Sequence, residues 1–161
     1  MKTLVLVRHA KSSWEFAVKD HERPLTNRGL TDANLVSNAL KKNNFNFDLV
    51  LSSTANRAKT TAQVFTKNLN ISNTIFKLET KLYDFSGNDL INVIKSCDNS
   101  INTLLIFGHN YAITAFVNSY GSVFIDNVPT CGVVMLSFNI ENWNGLKKGE
   151  TLKTIYPRDL K

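Results

Sequence analysis

Short apolar runs recur along the chain, and the polar stretches between them carry apolar residues at helical spacing. Leu4-Val5-Leu6-Val7 shows no polar alternation, the pattern of a strand covered on both faces within a parallel sheet. Leu49–Leu51 and Thr103–Phe107 repeat it, Thr74–Leu78 is a weaker version, and Val133–Leu136 supplies a late strand. Between them the period changes. Pro24 keeps Arg23 out of the α region, and Thr26 is then placed to cap a helix on which Leu30, Ala33, Val36 and Leu40 share one face. Ala58, Ala62, Phe65 and Leu69 predict a second helix after Ser52-Ser53-Thr54. Leu90, Val93 and Ile94 predict a third after Gly87, and Ala112, Ala115 and Phe116 a shorter fourth.

Strands alternating with helices predict βαβ units and right-handed crossovers, hence an α/β fold: a three-layer α/β/α sandwich with a mostly parallel central sheet. From Asn139 onward turn formers dominate, followed by alternating Leu152–Ile155, which predicts a hairpin-like edge and not a second domain. Residues 1–161 are therefore expected to form one domain, a length sufficient to bury a core without disulfides or metals.

Composition narrows the partners. Hydrophobic residues make up 43% and charged residues 20%, a globular balance. The net charge of +6 favours anionic ligands, but the 19 Lys and Arg are scattered, so no nucleic-acid partner is expected. Cys97 and Cys131 stand alone without a CxxC pairing, which argues against a disulfide framework or a zinc site. No apolar stretch approaches the roughly 18 residues of a membrane span, and Met1-Lys2 leads directly into a strand. The expected location is the cytoplasm, with no membrane partner.

In an open α/β sheet, ligands bind beyond the carboxyl ends of the parallel strands. The first strand ends at Arg8-His9, the second runs into Ser52-Ser53-Thr54-Ala55-Asn56-Arg57, and the Thr103 strand ends at Gly108-His109-Asn110. Two histidines and two arginines are thus predicted on one rim. Arginine stays charged and pairs bidentately with phosphate oxygens, so Arg8 and Arg57 suit a phosphoryl group and its transition state. Helix N-termini add backbone N–H groups. A neutral imidazole with one nitrogen fixed as N–H presents the other as a nucleophile, which either histidine could supply. Metal binding is disfavoured because arginines do not ligate metals and no HxH or HExxH spacing exists. No GxGxxG follows the first strand, which removes a dinucleotide site.

These elements resemble the histidine phosphatase superfamily, the phosphoglycerate mutase-like fold. Its RHG signature stands here as Arg8-His9-Ala10, with alanine for the usual glycine, followed by Arg23-Pro24-Leu25-Thr26-Asn27-Arg28-Gly29, then Leu51–Ala62 around Arg57, then Gly108-His109-Asn110. The short length, the "RHAKSSW" opening, "LYDFSGNDL" and the terminal Tyr156–Leu160 resemble the SixA-type phosphohistidine phosphatases within it. The resemblance implies a metal-independent hydrolase without cofactors, with His9 as the nucleophile that becomes phosphohistidine. Arg8, Arg57 and His109 would be its phosphate-binding residues.

Larger members place an acidic proton donor between the second arginine and the second histidine. Asp84 is the candidate in that interval, and Asp20 is the alternative acid. A phosphohistidine N–P bond needs such an acid less than an alkyl phosphate does. In the long loop 10–23, Ser12 is a candidate phosphate contact, and Trp14 is expected to pack the first helix. The expected partner is a phosphoprotein carrying phosphohistidine or, alternatively, a small phosphorylated metabolite handled by a phosphomonoesterase of the same superfamily. A phosphate-binding module without turnover is the reading from a different class.

Overall fold

In the computed structural model, which describes residues 1–161, every predicted apolar run lies on a strand. β1 (Lys2–Arg8), β2 (Leu49–Ser52), β3 (Phe76–Leu78) and β4 (Thr103–Gly108) are mutually parallel, whereas β5 (Val133–Phe138) pairs antiparallel with β1 and β6 (Glu150–Ile155) pairs antiparallel with β5. The order is β3-β2-β4-β1-β5-β6, so β1 lies inside the sheet, as its unbroken apolar run requires. The β5–β6 pair is the predicted hairpin-like edge.

Successive side chains of each strand feed opposite faces. Val5, Val7, Leu105 and Phe107 meet Ala33, Val36 and Leu40 of α1 (Asn27–Lys41) and Ala62 and Phe65 of α2 (Asn56–Asn68). Leu4, Leu6, Leu104 and Ile106 meet Leu90 and Ile94 of α3 (Asn88–Lys95) and Ile113 and Phe116 of α4 (Ala112–Tyr120). Each fully buried aliphatic side chain contributes about 1.5–3 kcal/mol relative to exposure, so two filled faces clamp β1 rigidly. The result is the predicted α/β/α sandwich. β3 is shorter than its apolar run because Ser72 accepts a hydrogen bond from the Thr74 N–H and turns Asn73–Ile75 into a 3-10 segment.

The loop after β1 is fastened to α1. Thr26 caps that helix, its hydroxyl accepting from the Gly29 N–H at 2.9 Å, while its own N–H donates to the Lys11 carbonyl at 2.9 Å. A Cβ at position 29 would collide with that carbonyl, so glycine permits the close approach.

Candidate active site

The three strand ends named by the sequence are neighbours: Arg8 pairs with Gly108, and Ser52 with Phe107. The ladder continues past β1, with the His9 N–H donating to Gly108 O at 3.1 Å and the Cys131 N–H donating to His9 O at 3.0 Å. His9 is therefore held by backbone on both sides. Its Nδ1 lies 2.7 Å from its neighbour Ala10's carbonyl oxygen, which makes Nδ1 the protonated donor and leaves the Nε2 lone pair free. Ala10 causes no strain, since Asn44, Asn70 and Cys131 alone among non-glycine residues have positive φ. Its methyl is packed in the core, and its N–H donates to Thr61 Oγ1 at 3.0 Å.

Around His9 the structure gathers the other three predicted residues. The His109 ring centroid is 5.3 Å from that of His9, and both rings are buried. Arg57, in the first turn of α2, is 3% exposed. Arg8 donates through Nη1 to Val128 O at 2.9 Å and keeps a buried Nε without a partner. Arg8, His9 and Arg57 line a cavity of about 280 Å³ together with Ser12, Trp14 and Phe85. A larger cavity of 480 Å³ lies at the other end of β5, beside Met1 and Ser137, and contains no histidine or arginine.

Electrostatics keeps both imidazoles neutral. Burial, reinforced by the Arg57, Arg8 and Arg23 charges, pushes His9 down to about 3 despite the opposing bond to Ala10. Burial, His9 and Arg57 bring His109 down to about 3. An unprotonated His9 is the form that can attack phosphorus.

The two carboxylates occupy different settings. Asp84 spends both oxygens on α3: Oδ2 accepts from the Gly87 and Leu90 N–H groups at 3.0 Å each, and Oδ1 accepts from Ser86 N–H and Oγ–H. Burial raises its proton affinity, but these bonds outweigh burial and hold the group below the usual carboxylate range. Asp84 thus caps a helix and lies outside the residues that line the cavity. Asp20 does line it, paired with Arg57 Nη2 at 2.9 Å and Arg23 Nη1 at 3.1 Å, and accepting from the Tyr83 hydroxyl at 2.5 Å. Burial opposes ionisation there, yet the bonds from Tyr83, Arg57 and Arg23 win and keep it an anion.

Ser12 accepts from Arg23 Nη2 at 2.7 Å, and Arg23 also donates through Nε to Ser13 O. Trp14 departs from the packing role expected of it: the side chain is 76% exposed, with the Arg23 guanidinium 3.3 Å from the ring centroid. Stacking on a cation at the rim replaces burial against α1, because Arg23 is anchored below it. His21 stands apart from the cavity, bonded to Thr54 Oγ1 at 2.8 Å. Sequence reasoning gave no role to Arg23, Tyr83 or Ser53. Arg23 was visible within "RPLTNRG", but the other two act through contacts more than fifty residues away in sequence.

A buried histidine pair, the buried Arg57 beside the half-buried Arg8, and an anion-sized polar cavity at the carboxyl ends of parallel strands define a phosphate-handling α/β protein. Residues 4–86 match the model of the histidine phosphatase superfamily, branch 1, and the chain belongs to that superfamily. An uncharacterized protein of Mycobacterium tuberculosis is 30% identical over 144 residues, covering 81% of this chain and 85% of that one. Among solved structures, the protein histidine phosphatase SixA complexed with tungstate superposes with a TM-score of 0.80 at 20% identity, covering 99% of each chain. A proposed phosphohistidine phosphatase SixA from Nakamurella multipartitia gives 0.78 at 25% identity, covering 97% of this chain and 96% of that one. The expected phosphoglycerate mutase-like fold is the fold observed.

Proposed function

We propose that this histidine phosphatase hydrolyses phosphohistidine carried on a protein, through a covalent intermediate on His9, with residues 1–161 acting as one unit. The observation that carries the choice of substrate is the state of the two carboxyls: Asp84 is consumed by helix capping and Asp20 is held as an anion by Arg57, Arg23 and Tyr83. Neither carries a proton at neutral pH to give to a leaving group. An alkyl phosphate would leave as an alkoxide and needs that proton in the transition state. A phosphohistidine ring already protonated on its distal nitrogen leaves as neutral imidazole and needs none.

In the first step His9 Nε2 attacks phosphorus, the new N–P bond forms, and the substrate N–P bond breaks with its electron pair returning to the departing imidazole. Arg8 and Arg57 follow the equatorial charge, and His109 donates to a phosphoryl oxygen. In the second step water attacks, a P–O bond forms, the His9 N–P bond breaks, and the water proton passes to the phosphate product. Positive charge comes from arginines, and no group of three or more His, Cys, Asp or Glu side chains is arranged to hold a metal ion.

A protein-borne substrate is supported by the lining of the cavity, where Trp14 and Phe85 are 76% and 45% exposed. Exposed aromatics grouped beside a site suit contact with another protein surface. Cys97 and Cys131 are free thiols, which suits a reducing compartment such as the cytoplasm, and no helix is long and apolar enough to cross a membrane. The reading is tested by comparing turnover of a phosphohistidine protein with that of p-nitrophenyl phosphate, in parallel with His9→Ala. Preferred turnover of phosphohistidine, abolished by the substitution, is expected. Equal or faster ester turnover would mean a general phosphomonoesterase, and no turnover of either a binding module.

A further inference from the structure

His109 is a buried ring with two differently treated nitrogens. Nε2 lies 2.8 Å from Ser53 Oγ, whereas Nδ1 is buried and has no partner in the protein. The ring is walled by His9, Phe85 and Tyr83, with centroids at 5.3, 5.1 and 5.4 Å, none of which offers Nδ1 a hydrogen bond. An orphaned buried donor costs about 1–3 kcal/mol, so such a nitrogen is expected to have a partner in the working state.

Which nitrogen carries the proton follows from Ser53. Its Oγ already accepts from the Ala55 N–H at 3.2 Å, and its own backbone N–H is committed to Phe107 O at 3.0 Å. The hydroxyl hydrogen has His109 Nε2 as its one acceptor. Ser53 is wholly buried at the end of β2, on a backbone fixed by β4, so this donor cannot be replaced by water.

We infer that Ser53 is a positioning residue for the phosphoryl pocket: its hydroxyl donates to His109 Nε2, confines the neutral ring to the Nδ1–H form, and holds Nδ1 ready to donate to a phosphoryl oxygen on His9. This rests on the proposed phosphatase reading for its purpose, but the tautomer is a property of the free protein. It parallels the neighbouring histidine, where the Ala10 carbonyl selects the Nδ1–H form and frees Nε2 for attack. Two different backbone-anchored groups thus set one ring as nucleophile and the other as donor. Loss of the hydroxyl would release His109 to the Nε2–H form, which turns an acceptor lone pair toward phosphate oxygens and repels them.

The test is ¹⁵N NMR of the His109 ring nitrogens in the free protein near neutral pH, assigned with His109→Gln. Wild type is expected to show a protonated Nδ1 and an unprotonated Nε2, with Nδ1 protonation lost in part or wholly in Ser53→Ala. A protonated Nε2 in wild type, or an unchanged pattern in Ser53→Ala, overturns the proposal. In turnover of a phosphohistidine protein, Ser53→Ala is expected to lower kcat about tenfold or more with a smaller change in KM, and Ser53→Thr to recover most of it. A Ser53→Ala enzyme with wild-type kcat overturns the kinetic role. Absence of turnover by wild type would sink the phosphatase reading while leaving the NMR result standing.

Discussion

Arg57 Nη2 lies 2.9 Å from Asp20 Oδ2, so the guanidinium proposed to grip the phosphoryl group is matched in the free protein by an internal anion. The same guanidinium donates through Nη1 to the Asp20 backbone carbonyl at 2.7 Å, which leaves it preoriented whatever the carboxylate does. Phosphate and Asp20 then compete for one cation. Asp20→Asn is expected to strengthen inhibition by inorganic phosphate about fivefold, the order of one removed like-charge contact at a partly exposed site. Its kcat on phosphohistidine should stay within about tenfold of wild type. A kcat loss of 10²–10⁴-fold, the size typical of a missing general acid, would return Asp20 to that role.

Asp84 makes the opposite forecast. With its carboxylate bonded to the Ser86, Gly87 and Leu90 N–H groups, Asp84→Ala is expected to cost about 0.5–2 kcal/mol of stability by denaturant unfolding, as lost caps do. The kcat of the folded fraction should not change. A large kcat loss at unaltered stability would contradict the capping role.

Depressed histidines make the fold acid-sensitive over a defined window. His9 and His109 are held near 3, below the ordinary value of 6.5, so between those limits the unfolded chain binds more protons than the folded one. Their stabilising contribution is present above about pH 6.5 and is lost progressively as pH falls toward 3. Urea midpoints measured from pH 7 to 4 should fall with pH, and a variant carrying Asn at both positions 9 and 109 should show a flatter decline. Equal slopes would contradict the assignment.

Much of this site was legible in the chain because parallel strands deliver their carboxyl ends to one rim. Arg8 ends a strand, His9 and His109 follow one, and Arg57 opens the helix beyond another, so placing the strands placed the residues. Asp84 is ambiguous in the sequence because an acidic residue four positions before a helix satisfies both a spacing expected of an acid and the demand of orphan N–H groups. Sequence does not choose between them; the Gly87 and Leu90 bonds do. Trp14 was misplaced because an aromatic near a helix usually packs it, and the stacking Arg23 depends on a loop path with no local signature. Ala10 needed the backbone itself, whose φ shows that no glycine is required there.

The exposed rim yields a separate forecast. Trp14→Ala is expected to raise KM for a phosphohistidine protein several-fold and to change turnover of a small phosphoramidate less, because the ring is 76% exposed at the cavity rim and stacks on Arg23 there. Equal losses on both substrates would place Trp14 in the phosphate pocket itself.

Phosphorylation of His9 is tested by rapid alkaline quench during turnover of a phosphohistidine protein, followed by mass spectrometry of the peptide containing residues 8–11. Phosphate is expected on His9 in wild type, accumulating further in variants that slow hydrolysis, and none in His9→Ala. Stoichiometric phosphate on another residue, or sustained turnover by His9→Ala, would contradict it.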